Sequence, residues 1–330
     1  VTGWQHIAGP DALNLDLINR AEKLIAPYIV QTPVLESTVL NAIADAQLFF
    51  KCENLQRTGA FKFRGAMHAL LNLTAEQRKQ GVYTVSSGNH GAALAAAGSI
   101  LDIPVQVAVP SNAPLVKKDN IANNGAEIIE IEPGMAAREA FIEEKQNQSQ
   151  RIFIPPYNHP LIMAGQGTAA LELVKAVPDL DALISPLGGG GLLSGTAMVG
   201  HSQNISVFGI EPELANDAYL SLQAGSIQSA LPPKSICDGL LTNLGEHTFP
   251  VIQDYVNAIL LVTEDEVISA MQQLWQALKI IVEPSSATVF AAVCKYPEYF
   301  QGKRLGLIIS GGNVDVRRLP WPVTLLEKAE

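Results

Sequence analysis

The chain has 330 residues, 48% hydrophobic and 16% charged, with 22 Lys and Arg against 32 Asp and Glu for a net charge of −10. That length provides one large domain or two ordinary ones with ample core, which excludes a disordered chain. The acidic balance, with no long Lys/Arg cluster, repels phosphate backbones and anionic lipid, so it argues against nucleic-acid and membrane-surface roles and for a small partner.

The first ten residues lack the basic-then-apolar layout of a secretory signal. No stretch approaches the ~18 consecutive apolar residues of a membrane span. Cys52, Cys237 and Cys294 stand far apart in no metal or redox spacing, which suits a reducing, cytoplasmic setting. In chain order, a helix is expected to start near Lys62, after a Thr58-Gly59 turn. From about residue 80, β-branched runs predict strands over 82–86, 105–109, 127–131, 151–154, 182–185, 205–210, 259–262 and 305–309. Between them, apolar residues at helical spacing predict helices over 114–124, 135–146, 163–177 and 264–278. Strands that are nearly continuous apolar runs are buried on both faces, so the pattern is α/β with a mainly parallel sheet under helices.

In such sheets ligands sit beyond the carboxyl ends of strands. Three predicted strands run straight into polar loops: Ser86-Ser87-Gly88-Asn89-His90-Gly91, Gly188-Gly189-Gly190-Gly191 and Ser310-Gly311-Gly312-Asn313. Four consecutive glycines cost backbone entropy and open a predicted helix whose first amides form an anion site, suited to a phosphate. A tight strand-to-helix turn is the plainer alternative. No dinucleotide fingerprint or nucleotide-triphosphatase Gly-Lys-Ser/Thr ending accompanies them. Lys62 lies between Phe61 and Phe63 at the expected helix start. Apolar neighbours and the helix dipole depress an amine's pKa and make it nucleophilic near neutrality, although most lysines are simply solvated.

The motif Thr58-Gly59-Ala60-Phe61-Lys62-Phe63-Arg64-Gly65-Ala66, the two Ser/Gly/Asn loops and the glycine tetrad occur in a fixed order. So do Ala164-Gly165-Gln166-Gly167-Thr168, Gly209-Ile210-Glu211-Pro212 and Val282-Glu283-Pro284. This order resembles that of the fold-type II pyridoxal 5′-phosphate enzymes, specifically the serine/threonine dehydratase and serine racemase family, from about residue 18 to 315. The resemblance implies a tryptophan synthase β-like fold of two doubly wound three-layer α/β/α domains. Residues 1–75 and 158–330 would form a large cofactor-binding domain, and 76–157 a small domain that closes over substrate. A homodimer is also implied.

Residue by residue, the resemblance implies that Lys62 carries the cofactor covalently and Phe61 lies beside its ring. Asn89 would bond the ring hydroxyl, Gly188, Gly189, Gly190, Gly191 and Leu192 would cradle the phosphate, and Ser310 would face the ring nitrogen. Gly239 and Glu283 match positions lining the ring pocket. Ser86, Ser87, Asn89 and His90 would bind the substrate carboxylate, with Ser87 also opposite Lys62 as a second catalytic group. Glu211, the carbonyl of Ala215 and Asp217 match a divalent-cation site, for Mg²⁺ or else Ca²⁺ or Mn²⁺; an acidic helix start is the plainer reading. Two departures stand out. Ala92 replaces a common glutamine, which would enlarge or dry the pocket, and the segment Pro155-Pro156-Tyr157-Asn158-His159-Pro160 is shorter than the matching racemase segment, so that Asn158 is only an approximate counterpart of an active-site asparagine.

The implied reaction is β-elimination from a β-hydroxy-α-amino acid such as L-serine, L-threonine or 3-hydroxyaspartate, giving a 2-oxo acid and ammonia. The alternatives are an amino-acid racemase with elimination as a side activity, and, more remotely, a noncatalytic cofactor- or amino-acid-binding protein. Trp4, Trp275 and Trp321 are read as packing residues, and His6, His68, His159, His201 and His247 as ordinary histidines without metal spacing.

Overall fold

The computed structural model describes residues 13–113, 115–229 and 234–321, so Trp4, His6 and the first residue of the predicted 114–124 helix lie outside the described residues. Its strands are β1 (Val34–Leu35), β2 (Gln47–Cys52), β3 (Val82–Val85), β4 (Val105–Pro110), β5 (Glu127–Ile131), β6 (Ile152–Phe153), β7 (Ala182–Pro186), β8 (Ser206–Pro212), β9 (Ala258–Val262) and β10 (Arg304–Ile309). They form a six-stranded sheet in the order β1-β2-β10-β7-β8-β9 and a four-stranded sheet in the order β5-β4-β3-β6. Every named pairing is parallel except β1 with β2, where Val34 faces Lys51.

The helices are α1 (Leu15–Ile25), α2 (Thr38–Ala44), α3 (Lys62–Leu71), α4 (Ala75–Gln80), α5 (Asn89–Ile100), α6 (Leu115–Asn123) and α7 (Met135–Gln148), followed by α8 (Pro160–Ala176), α9 (Gly191–Ser202), α10 (Asp217–Ala224), α11 (Thr248–Tyr255), α12 (Glu264–Leu278), α13 (Pro284–Lys295) and α14 (Pro297–Phe300). Local chemistry sets several starts. Thr263 and Glu266 form a capping box on α12, Thr74 and Gln77 another on α4, and proline opens α8 and α13. Trp275 and Trp321 pack edge to face, 5.5 Å between ring centroids.

The eight predicted strands all exist, but β1 and β2 escaped the pattern. A lysine inside β2 breaks its apolar run. Lys51 is nevertheless buried, because its Nζ donates to the Thr32 carbonyl at 2.7 Å and to Glu172 at 2.6 Å.

Alternation along the strands divides the six-stranded sheet into two cores. Leu305, Leu307 and Ile309 of β10 join Leu48 and Phe50 of β2 on one face, whereas Ile308 and Phe49 face the other with Val207 and Ile259. Helix α3 belongs to a third core: Phe63, Met67 and Leu70 pack with Val82, Val105 and Val107 of the four-stranded sheet. The helix beginning at Lys62 thus leans on the smaller sheet while its first turn meets the larger one. No described helix is long and apolar enough to cross a membrane.

Candidate active site

A cavity of about 530 Å³ opens where the loops after β3, β7 and β10 meet, a size in the range of small-molecule pockets. Every cofactor and substrate residue expected from the sequence lines it. The expected cation residues Glu211, Ala215 and Asp217 do not.

Lys62 is the first residue of α3, and a bridge between Ala60 and Gly311 ties its loop to the Ser310 loop, with Phe61 N–H donating to the Ser310 carbonyl at 2.9 Å. Thr58 and Gly59 turn the chain at positive φ (59° and 72°), and a Cβ on Gly59 would lie 2.6 Å from Asn313 Oδ1, so only glycine fits there. The Lys62 Nζ donates to the Pro156 carbonyl at 2.7 Å and stands 5.0 Å from the Phe61 ring centre and 5.9 Å from that of Tyr157. Burial of the amine lowers its pKa to about 7, against an opposing pull from the Glu283 carboxylate.

Each glycine of the tetrad is dictated by a different neighbour. An added Cβ would meet the Leu240 backbone at Gly188 (2.9 Å), the Tyr157 ring at Gly189 (2.4 Å) and Gln166 Oε1 at Gly191 (2.4 Å), and Gly190 adopts φ +89°. Protein therefore walls the side-chain side of this loop, and the amide side opens α9. The first bond closed there is Ser194 N–H to the Gly190 carbonyl at 2.8 Å, so the earlier amides have no intrahelical acceptor and can receive an anion. These features fit a phosphate-bearing cofactor.

Polar groups on the remaining walls are held by one another. Asn89 Nδ2 donates to Glu283 Oε1 at 3.0 Å and Asn89 Oδ1 accepts from Asn313 Nδ2 at 2.9 Å, while Asn313 N–H donates to Glu283 Oε2 at 3.0 Å. Ser310 shares a 2.8 Å hydrogen bond with Ser286, and Gly239 N–H donates to Ser285 Oγ at 3.1 Å. Ser86 Oγ accepts from the N–H groups of Gly88 (3.3 Å) and Gly91 (3.2 Å), which shapes the start of α5.

Three expectations change in detail. The His90 ring is unsuited to grip a carboxylate: its Nε2–H meets the Ile154 carbonyl at 3.2 Å, leaving Nδ1 a buried lone pair with no partner. Burial, with the nearby Lys62 charge, lowers its pKa to about 3, so what His90 offers an anion is its main-chain N–H near the start of α5. Ala92 does not line the cavity; it is buried in the core that also holds Phe63 and Leu94. Asn158 turns away and accepts from His247 N–H at 2.9 Å; its neighbour Tyr157 is the residue that enters the cavity.

Sequence reasoning also passed over Arg138. It lines the cavity from α7 and makes no side-chain hydrogen bond or ion pair among the described residues. A lone arginine in an amphipathic helix carries no signal until the fold shows where it points. Away from the cavity, Glu211 accepts from the N–H groups of Ala218 (3.0 Å) and Tyr219 (2.9 Å), an acidic start to α10. Both carboxylate oxygens of the buried Asp217 lack a hydrogen bond of good geometry. Burial raises both acids, Glu211 to about 8 with the Asp217 charge adding to it, and Asp217 to about 6. No group of three or more His, Cys, Asp or Glu side chains suited to a metal occurs among the described residues.

The amine of Lys62 gives a direct test. In cofactor-free protein its labelling by an amine-reactive reagent should be half-maximal near pH 7, whereas ordinary lysines need about pH 10.4. Because its folded pKa lies below the unfolded 10.5, the unfolded chain binds the extra proton between about pH 7 and 10.5, and this group's contribution to stability rises with pH across that window. Labelling that follows the ordinary lysines would show the amine to be solvated.

Residues 25–311 match the family described as pyridoxal-phosphate dependent enzyme. The chain is 46% identical over 305 residues to a serine racemase of Dictyostelium discoideum, covering 91% of this chain and 94% of that protein. It is 44% identical over 303 residues to a beta-hydroxyaspartate dehydratase of Paracoccus denitrificans (91% and 96% covered). A solved serine racemase of maize superposes with a TM-score of 0.89 at 38% identity, covering 92% of this chain and 95% of that one. With this fold, this cavity and these relatives, the chain belongs to the pyridoxal-phosphate-dependent enzymes of fold-type II.

Proposed function

We propose that this enzyme eliminates the β-hydroxyl of a β-hydroxy-α-amino acid, releasing a 2-oxo acid and ammonia. The carrying observation is the Lys62 amine, depressed to about pKa 7 and facing the same cavity as the glycine loop. Lys62, Phe61, Asn89, residues 188–192, Gly239, Glu283 and Ser310 would hold pyridoxal phosphate, which when bound supplies a sink for the electron pair released at Cα. The amides at the start of α5, with Ser86, Ser87 and Asn89, receive the substrate carboxylate. Lys62, substantially neutral once pH exceeds its pKa of about 7, takes the Cα proton. The substrate loses water, and hydrolysis of the dehydrated amino acid completes the balance.

Arg138, which lines the cavity, supports a substrate with a second carboxylate, and of the three candidates 3-hydroxyaspartate has one. Among serine, threonine and 3-hydroxyaspartate, the last should have the highest kcat/KM. Arg138→Met should raise its KM roughly 10- to 100-fold, the worth of one hydrogen-bonded charge, and leave serine nearly unaffected. Equal losses on all three would remove Arg138 from specificity. A second reading, racemisation, is favoured by Ser87, whose hydroxyl lines the cavity without a hydrogen-bond partner among the described residues.

We also infer that Glu211, the Ala215 carbonyl and Asp217 hold Mg²⁺, or alternatively Ca²⁺ or Mn²⁺. The Asp217 oxygens, buried without a hydrogen bond of good geometry, support this reading, since hard cations take oxygen ligands and complete their shells with water. A chelator should then lower the melting temperature by roughly a few degrees, and Mg²⁺ should restore it. If Glu211→Ala behaves identically with and without chelator and the wild type does too, these acids serve only α10. The reading further includes a homodimer, closure of residues 76–157 over 1–75 and 158–330, and a cytoplasmic setting supported by three free thiols.

A further inference from the structure

Arg64 and Thr168 belong to two motifs that the catalytic reading leaves unused. Arg64 is fully buried two residues after Lys62, and all five of its N–H donors are engaged. Its Nε and Nη2 reach the two oxygens of Glu53 at 2.7 and 2.8 Å, and its Nη1 and Nη2 reach the two oxygens of Glu172 at 2.7 and 2.9 Å. The fifth donor meets Thr168 Oγ1 at 3.2 Å. The carboxylates are fixed in turn: Thr32 Oγ1 donates to Glu53 at 2.6 Å and Lys51 Nζ to Glu172 at 2.6 Å. Two cations thus balance two anions, and the set joins α3 to β2, the turn after β2, and α8.

Such a cluster is poorly explained by stability alone, because buried ion pairs are often no better than apolar packing of the same shape. Its geometry carries other information. Residues two apart on a helix point to nearly opposite sides, so Lys62 faces the cavity while Arg64 grips the structure behind. A planar fork bonded on both edges fixes rotation about the helix axis as well as position, which a lysine's point charge cannot do. We propose that Arg64, clamped by Glu53 and Glu172, is a positioning residue that sets the rotation of α3 and so the place of the Lys62 amine. This rests on the reading of Lys62 as the cofactor-bearing lysine.

The test uses full-length holoenzyme carrying Arg64→Lys or Glu172→Gln. Borohydride mapping of wild type first establishes that the cofactor is on Lys62; its absence there would overturn the cofactor reading itself. In Arg64→Lys the charge survives but the double fork does not. Hydroxylamine should then strip cofactor at least about tenfold faster, and kcat should fall roughly 10- to 100-fold with KM within about threefold, as expected for a small misplacement of a catalytic group. Glu172→Gln leaves an excess positive charge behind α3, which disfavours the protonated amine, so the acidic limb of kcat should move to lower pH. If both variants melt earlier yet keep wild-type release rate, kcat and pH limb, the cluster is structural only and the proposal fails.

Discussion

Lys62→Ala should abolish turnover, lowering kcat by about 10⁴-fold or more, because in the proposed reading it removes both the covalent attachment point and the base. The fold should survive. Lys62 stands at the first position of α3 and is partly exposed to the cavity, so truncation opens no sealed core void. Its amine is held with its pKa lowered by burial, a cost that alanine relieves, so the melting temperature should be unchanged or higher. Production of 2-oxo acid, circular dichroism and peptide mapping after borohydride read the three claims separately. Retention of more than about a hundredth of wild-type kcat, against the scale of a lost catalytic group, or cofactor fixed on another lysine, would remove Lys62 from its role.

Ser87→Ala should separate the two chemistries open to this site. Inverting Cα requires a proton donor or acceptor on each side of the carbon, and Lys62 can serve one side. Ser87 presents a hydroxyl to the cavity from the loop after β3, with no partner among the described residues to hold it elsewhere. A lone serine is a weak base, so it must pass its proton onward within a closed polar site. Wild type should therefore eliminate mainly from L-amino acids while producing some D-isomer or consuming D-serine. In Ser87→Ala those D-face activities should fall about 100-fold or more, the usual contribution of one acid or base, with L-elimination kept within a few-fold. If wild type handles no D-amino acid, or the variant handles it equally well, Ser87 only binds the carboxylate.

Much of this was legible in the sequence where a single physical cause acts locally. The apolar runs of β3, β7 and β10 could be read because these strands are covered on both faces, and the polar loops that follow them could be read because glycine and serine break such runs. Lys51 shows the limit. Its charge conceals a strand whose burial depends on Glu172, a partner 121 positions away. The same holds for Arg138 and Tyr157, which reach the cavity only through packing of α7 and of the turn before α8. Ala92 fails differently: a helix residue beside a polar loop can face either the loop or the core, and here α5 places it in the core that also holds Phe63. For His90, residue type alone does not say whether ring or backbone faces a ligand; the ring's bond to the Ile154 carbonyl leaves the main-chain N–H as the free donor.

The walls around the glycine tetrad bear on how a ligand is received. Leu240, Tyr157 and Gln166 press on three of its residues, and the fourth adopts a backbone angle that glycine readily takes. The conformational entropy of this flexible sequence is therefore lost when the chain folds. Binding need not lose it again. A loop ordered only by its ligand would spend part of each contact on its own immobilisation, whereas a preorganised one leaves the full strength of its amide dipoles for the incoming anion. In the proposed reading, the most flexible tetrapeptide in the chain would thereby act as a preorganised receptor.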